Sequence, residues 1–260
     1  MARPYYQQQM HYSRPPITWA VQRLILLNVM IFVLQLIADP IAQFFQDESV
    51  VPYGFFFHAL GFQSSEFLSG YVWQALSYQF LHGGLLHLFL NMLWLFIFGP
   101  DVERALGTRQ FYRFYLFCGA LGVQATLYGY FMHGVDIPVV GASGAVMGVL
   151  VAFAIVDPER EFFLFPLPFP VNARALVIIV IFMNVVMALG GDQGVSVATH
   201  FGGMLAGYVY MKLRPKFTRW QLERRKRRMQ QSSSTSDQDD TDNEKIADAV
   251  NNIFKFKNRE

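Results

Sequence analysis

The chain has 260 residues, of which 53% are hydrophobic, 16% aromatic and only 15% charged. The length would suit one or two soluble domains, but so apolar a composition is typical of a membrane protein. The net charge of +2 reflects one basic run at residues 224–228, and such runs beside a membrane usually contact anionic lipid headgroups, so no nucleic-acid partner is expected.

Six apolar stretches follow one another along the chain. Most approach the roughly 20 residues that a helix needs to cross the hydrocarbon core, and the fourth is short by that measure. Because the apolar runs are continuous and do not alternate, they predict helices and not barrel strands. The stretches cover residues 17–37, 81–98, 111–132, 142–156, 173–189 and 195–213.

Lysine and arginine are distributed unevenly between the connections. The first, third and fifth connections contain neither residue, whereas basic residues precede the first stretch, occupy the second and fourth connections and follow the sixth stretch. Since cytoplasmic loops carry the excess of basic residues, both termini are expected on the cytoplasmic side. The fold class predicted is therefore an all-α, multi-pass membrane protein with six transmembrane helices.

Three parts are expected along the chain. Residues 1–16 form a cytoplasmic N-terminal segment, residues 17–213 the six-helix domain, and residues 214–260 a cytoplasmic tail that is basic and then disordered in character. Apolar residues near the end of the tail have helical spacing and suggest a short amphipathic helix. The aromatic-rich connection at about residues 38–80 is too broken by glycine and proline to span, and is expected in the membrane interface.

Polar residues occur near the beginning of the second, fourth and sixth stretches. They are His87 and Asn91, Ser143 between glycines, and His200. Polar side chains inside a membrane segment are costly and usually indicate function. These three stretches all begin on the outer side, so the residues share one level in the outer half of the bilayer. A shared level indicates a single site.

A serine and a histidine at one level suggest nucleophilic catalysis. Ser143 is expected to be the nucleophile, and His200 the base that takes its proton and later protonates the leaving amine. No carboxylate is obviously placed to orient the imidazole, since Asp136 and Asp192 lie in outer connections. A Ser–His dyad is the simpler interpretation.

Three further features of the sequence support this site. His87 and Asn91 are four residues apart, hence on one helical face, and both can donate hydrogen bonds to an oxyanion. Backbone N–H groups at the head of the fourth stretch are unpaired by helix geometry and can add to them. Four glycines form small-xxx-small pairs suited to close helix packing, and contact between the two pairs would bring the serine towards the histidine. The pairs are Gly144 with Gly148 and Gly203 with Gly207.

The combined motifs resemble the rhomboid intramembrane serine proteases. The pattern H-x-x-x-N is at residues 87–91, G-x-S-G at residues 141–144 and H-x-x-G at residues 200–203, in that order on the second, fourth and sixth stretches. The resemblance covers about residues 19–213. It implies a six-helix rhomboid bundle, a dyad of Ser143 and His200, and oxyanion stabilisation by His87, Asn91 and the Ser143 N–H.

The resemblance also implies the substrate. Rhomboid proteases cut single-span membrane proteins whose transmembrane segments are unstable as helices, near a small residue, and no metal or cofactor is expected. The absence of a transit peptide or additional helix suggests a prokaryotic plasma membrane. The oligomeric state is not indicated.

The sequence favours a serine protease over three alternatives. A non-catalytic rhomboid-like protein that binds transmembrane clients would typically have lost the serine or the histidine, and this chain has both. A channel or transporter would need polar residues through both leaflets, but the inner halves of stretches four and six are apolar. A zinc site formed by His82, His87 and His200 lacks the H-E-x-x-H pattern and a nearby acidic ligand.

Overall fold

The computed structural model describes most of the chain between residues 17 and 214. The predicted N-terminal segment, residues 1–16, and the predicted tail beyond residue 214 lie outside the described residues. The chain divides into two compact units, Met1–Met211 and Lys212–Glu260, and the first unit contains the candidate site. The described residues are 17–45, 55–134, 136, 138–163, 170–190 and 197–214.

The described part of the chain is mostly helical. It also contains one turn of 3-10 helix at Tyr78–Phe80 and two short antiparallel strands, β1 (Glu161–Phe163) and β2 (Pro170–Asn172). The all-α fold class expected from the sequence contains no strands, so this pair is a small departure from it. The helices are α1 (Trp19–Phe45), α2 (Phe55–Leu60), α3 (Ser64–Leu68), α4 (Gln74–Ser77), α5 (Leu85–Leu106), α6 (Thr108–His133), α7 (Ser143–Val156), α8 (Ala173–Leu189) and α9 (197–214).

Each predicted apolar stretch coincides with a helix, but the ends of the first two differ. Helix α1 continues through Pro40 to Phe45, beyond the predicted end at residue 37. Helix α5 begins at Leu85, four residues later than predicted, and passes Pro100 to end at Leu106 instead of residue 98. Hydropathy alone ends the second stretch too early, because α5 continues past its first charged residues while still burying one face.

Two helices of the described part are long and apolar enough by themselves to cross a membrane. These segments are Trp19–Pro40 and Leu85–Leu106, whereas α7 and α8 are apolar but shorter. Nine of the fourteen residues of α7 are buried, and it packs against α5, α6 and α8. This burial, and not apolarity alone, places α7 inside the protein, because an apolar helix can also face lipid. The short length of α7 therefore fits a helix enclosed by other helices.

The connection between α1 and α5 is attached to the segment that leads into α7. Phe62 and Val139 form an isolated antiparallel bridge, with N···O distances of 2.9 and 2.8 Å. The backbone N–H of Gly141 donates to the carbonyl of Tyr78, and the Tyr78 hydroxyl donates to the carbonyl of Gly119 at 2.7 Å. Phe62 and Tyr78 are fully buried. Part of this aromatic connection is therefore protein core, where the sequence predicted only an interfacial location.

Glu103 joins the end of α5 to the beginning of α1. Its carboxylate accepts hydrogen bonds from the backbone N–H groups of Ala20 and Val21 and from the hydroxyls of Thr18 and Thr108. The first N–H groups of a helix have no partner within the helix, and a carboxylate there also complements the helix dipole. Glu103 is therefore the N-terminal cap of α1, supplied by another helix.

We expect Glu103→Ala to lower the free energy of unfolding by about 2–4 kcal/mol, because it leaves buried donors without an acceptor. The measurement is unfolding of the purified protein in detergent, followed by circular dichroism. Glu159→Ala is the matched control, since that carboxylate is 69% exposed and pairs with Arg174 at the surface. An exposed pair contributes at most about 1 kcal/mol. Equal effects of the two substitutions would contradict the capping role.

Candidate functional site

The imidazole of His87 lies against the G-x-S-G segment. His87 is the third residue of α5, and a β-carbon built on Gly141 would lie 2.7 Å from the His87 Nε2 atom. Gly141 also has a φ of +119°, a conformation that residues with a side chain rarely adopt. Glycine is thus required at residue 141 by both backbone conformation and the approach of the histidine. This contact brings the H-x-x-x-N motif to the serine segment.

Ser143 is the first residue of α7 and is partly exposed. The preceding residue, Ala142, is the N-cap and has no side chain that could bond the first N–H groups of the helix. These groups have no intrahelical partner, and they form the positive end of the helix dipole. The serine hydroxyl therefore lies beside backbone donors suited to stabilising a negative charge.

The glycines of α7 and α9 bring the two helix backbones together. A β-carbon on Gly203 would overlap the carbonyl oxygen of Gly144, and one on Gly207 would lie 2.7 Å from the carbonyl oxygen of Gly148. A β-carbon on Gly144 would in turn lie 2.9 Å from the Thr199 Cγ2 atom. Gly144 follows the serine in sequence and Thr199 precedes His200, so the backbones that carry the two residues are in contact.

Helix α6 is a third member of this close packing, which the sequence analysis did not identify. A β-carbon on Gly122 would lie 2.9 Å from the Thr199 carbonyl oxygen and 3.1 Å from the Gly203 nitrogen. One on Gly148 would lie 2.6 Å from the Cys118 Sγ atom. The signal was present in the sequence, because Cys118 and Gly122 are themselves a pair of small residues four positions apart.

His200 has a specific polar partner. Its Nδ1 atom lies 2.7 Å from the Oδ1 atom of Asn184 on α8, and the two residues are 9% and 5% exposed. Asp136, which the sequence already assigned to an outer connection, accepts hydrogen bonds from the Gln63 side chain and the Ser65 backbone. Asp192 lies outside the described residues. The sequence analysis missed Asn184, although a lone asparagine in an apolar stretch is itself a signal.

Asn91 lies one turn beyond His87 and is buried. Its Nδ2 atom donates to the His87 carbonyl at 3.0 Å. The His82 ring meets the His87 ring edge-on, with centroids 5.2 Å apart. Within the described part of the chain, no three His, Cys, Asp or Glu side chains are grouped closely enough to hold a metal ion.

Comparison with known proteins identifies the family. The profile of the Rhomboid domain matches residues 69–216, which is more than half of the chain. The chain therefore belongs to the rhomboid family and is an integral membrane protein.

Curated relatives are similar to a little more than half of the chain. RHOMBOID-like protein 4 of Arabidopsis thaliana is 32% identical over 148 residues, which are 56% of this chain and 35% of that protein. Rhomboid protein 1, mitochondrial, of Saccharomyces cerevisiae is 30% identical over 56% of this chain and 43% of its own length. Rhomboid protease GlpG of Haemophilus influenzae is 27% identical over 58% of this chain and 74% of its own length. The chain thus spans less than half of the length of the plant and yeast relatives.

These relatives do not single out one membrane. They include a plant protein, a protein named as mitochondrial and a bacterial protease. The prokaryotic plasma membrane predicted from the sequence is therefore not supported by the comparisons, and only the integral membrane location stands.

Proposed function

We propose that the chain is an intramembrane serine endopeptidase, which hydrolyses peptide bonds in or near the transmembrane segments of single-span membrane proteins. Ser143 is the nucleophile and His200 the general base. The observation that carries this proposal is the contact of Gly144 with Thr199, because these residues adjoin the serine and the histidine in sequence. Membership of the rhomboid family, which includes proteins named as rhomboid proteases, supports it.

The proposed reaction proceeds through an acyl-enzyme. His200 takes the proton of the Ser143 hydroxyl while the serine oxygen attacks the scissile carbonyl carbon, and a tetrahedral oxyanion forms. The carbon–nitrogen bond then breaks, and the leaving amine takes the proton from His200. A water molecule next attacks the ester carbonyl while His200 accepts its proton. Return of that proton to the serine oxygen releases the carboxylic acid and restores the enzyme.

His87, Asn91 and the Ser143 N–H are proposed to stabilise the oxyanion. The His87 ring already lies against the G-x-S-G segment, and the N–H groups at the head of α7 are uncapped by a side chain. The Asn91 amide carries two protons, so one remains for an oxyanion after the bond to the His87 carbonyl. Loss of one such donor raises the barrier by roughly 3 kcal/mol in serine proteases.

The orientation in the membrane belongs to the same proposal. Six helices within residues 17–213 cross the bilayer, the segment 1–16 and the tail 214–260 are cytoplasmic, and the site lies in the outer half of the membrane. The basic residues of the even connections and termini support this orientation. The outward faces of α1 and α8 carry large apolar side chains suited to lipid, among them Leu36 and Phe182 at 61% and 63% exposure.

Labelling with a serine-directed fluorophosphonate tests the proposed nucleophile. The reagent is expected to modify Ser143 in the wild-type protein, because His200 makes its hydroxyl reactive. The measurement is peptide mass spectrometry of the full chain in detergent. The His200→Ala variant is expected to lose the label. The control variant Ser77→Ala is expected to keep it, because the hydroxyl of Ser77 donates to the Leu60 carbonyl and is not part of the proposed site. Equal labelling of the wild type and His200→Ala would refute the dyad.

A further inference from the structure

Asn184 is the only polar residue of α8 after Arg174. The adjacent residues Met183 and Val185 are 51% and 41% exposed, whereas Asn184 is 5% exposed. The asparagine therefore faces the protein interior while its neighbours face outward. A buried polar side chain in a membrane helix is costly unless it is paired, and such residues are usually functional.

The hydrogen bonds of Asn184 define which end of its amide meets the histidine. The Nδ2 atom donates to the Val180 carbonyl, four residues earlier, at 2.8 Å. The Oδ1 atom is therefore the one that lies 2.7 Å from Nδ1 of His200. An amide oxygen can only accept, so Nδ1 must carry a proton. In a neutral imidazole the lone pair is then on Nε2.

We propose that Asn184 is the positioning residue of the dyad, holding the His200 imidazole in the tautomer whose Nε2 atom can take the Ser143 proton. This inference rests on the proposed function, and it replaces an unassisted Ser–His dyad with a Ser–His–Asn arrangement. The same Oδ1 atom remains an acceptor when His200 is protonated, because both ring nitrogens then donate. Asn184 thus supports the imidazole throughout the reaction without adding a charge to a buried site.

Other titratable side chains near the dyad are not bonded to the His200 ring in the described part of the chain. His87 of α5 is a titratable residue of the same site, and its ring lies against the G-x-S-G segment. From the helices packed around α9, Cys118 faces Gly148 and the Tyr78 hydroxyl faces Gly144. Burial raises the pKa of Tyr78, whose hydroxyl is committed to the Gly119 carbonyl. Asn184 is the group bonded directly to the ring.

A second asparagine provides a matched control for a purely structural role. Asn28 of α1 is also fully buried, and its Nδ2 atom donates to the Leu24 carbonyl four residues earlier at 2.7 Å. Asn28 and Asn184 thus share the same bond to their own helix. They differ across the helix interface, where Asn184 is bonded to His200 and Asn28 lies beside the Tyr115 hydroxyl. Asn28→Leu and Asn184→Leu therefore remove the same local interaction.

The test measures kcat, KM and the pH dependence of kcat/KM for cleavage of a labelled single-span protein by the full chain in detergent. Asn184→Leu is expected to lower kcat on the order of tenfold to hundredfold, with KM within about twofold, because the base loses its orientation. Asn184→Asp keeps the acceptor and adds a charge that favours the imidazolium. It is expected to recover much of kcat and to move the acidic limb of the profile about one pH unit higher. Asn28→Leu is expected to keep the wild-type profile.

Two results would overturn the positioning role. One is an Asn184→Leu variant with the kcat and pH profile of the wild type. The other is an equal loss of activity in Asn184→Leu and Asn28→Leu, together with an unshifted acidic limb in Asn184→Asp. A wild type whose activity does not depend on Ser143 overturns the proposed function as well. That failure is distinguishable, because it is measured with wild type and Ser143→Ala alone.

Discussion

Replacing Ser143 with alanine is expected to reduce cleavage of a single-span substrate by at least about 10⁴-fold, to the background of the assay. The substitution removes the oxygen that forms the acyl-enzyme, and no other step of the proposed reaction can replace it. The residue is small and partly exposed, at the head of a helix with no side-chain cap to lose. The folded structure is therefore expected to survive, so the loss reports chemistry.

The measurement compares purified wild type, Ser143→Ala and His200→Ala in detergent, with unfolding recorded for each. Ser77→Ala is the matched serine control and is expected to cleave as the wild type does. Folded Ser143→Ala with undiminished activity would show that the mechanism is wrong. A folded wild type that retains a transmembrane client without cutting it would favour the non-catalytic alternative.

Replacing Gly203 with alanine is expected to reduce activity by about a hundredfold or more, because a displacement of roughly 1 Å at a catalytic pair has an effect of this size. The added methyl group would overlap the Gly144 carbonyl oxygen. Backbone atoms cannot rotate aside as a side chain can, so α7 and α9 must separate. Overpacking of this kind typically costs about 1–3 kcal/mol, so the free energy of unfolding is expected to fall as well.

Gly129→Ala is the matched control for this substitution. Gly129 also lies within a helix, in the last two turns of α6, but a β-carbon there would have no atom within 4 Å. Alanine favours the helix by about 1 kcal/mol over glycine, so the control is expected to be as stable as the wild type or more so. Cleavage rates and unfolding in detergent are measured for both variants. Full activity in Gly203→Ala would contradict the close contact of the two helices.

The helices could be predicted from the sequence to a large extent, and the sequence also suggested which residues form the site. Continuous apolar runs require helices when the surroundings are lipid, so the approximate location of each long helix follows from hydropathy. The serine, the histidines and the asparagine of the motifs were recognisable because polar residues are rare in such runs. Those site roles remain predictions.

Features that depend on contact between distant segments were not predictable in the same way. Glu103 follows an apolar run and could be taken for a surface charge, yet its partners are at the beginning of α1. Phe62 and Tyr78 lie in a connection broken by glycine and proline, yet they are fully buried. Hydropathy reports the average surroundings of a segment and not which segment lies beside it, so these contacts needed the three-dimensional structure.

Asn184 illustrates the difference between what the sequence determines and what only the tertiary structure determines. The sequence by itself determined that a costly polar group lies in an apolar helix, that a serine begins another helix, and that small residues line two more faces. Only the tertiary structure decided that the asparagine meets His200. The Asn184 amide donates one hydrogen bond within its own helix, and its oxygen is left for a partner on another helix. The identity of that partner depends on how α8 is rotated against α9. This rotation is determined by the packing of the two helices.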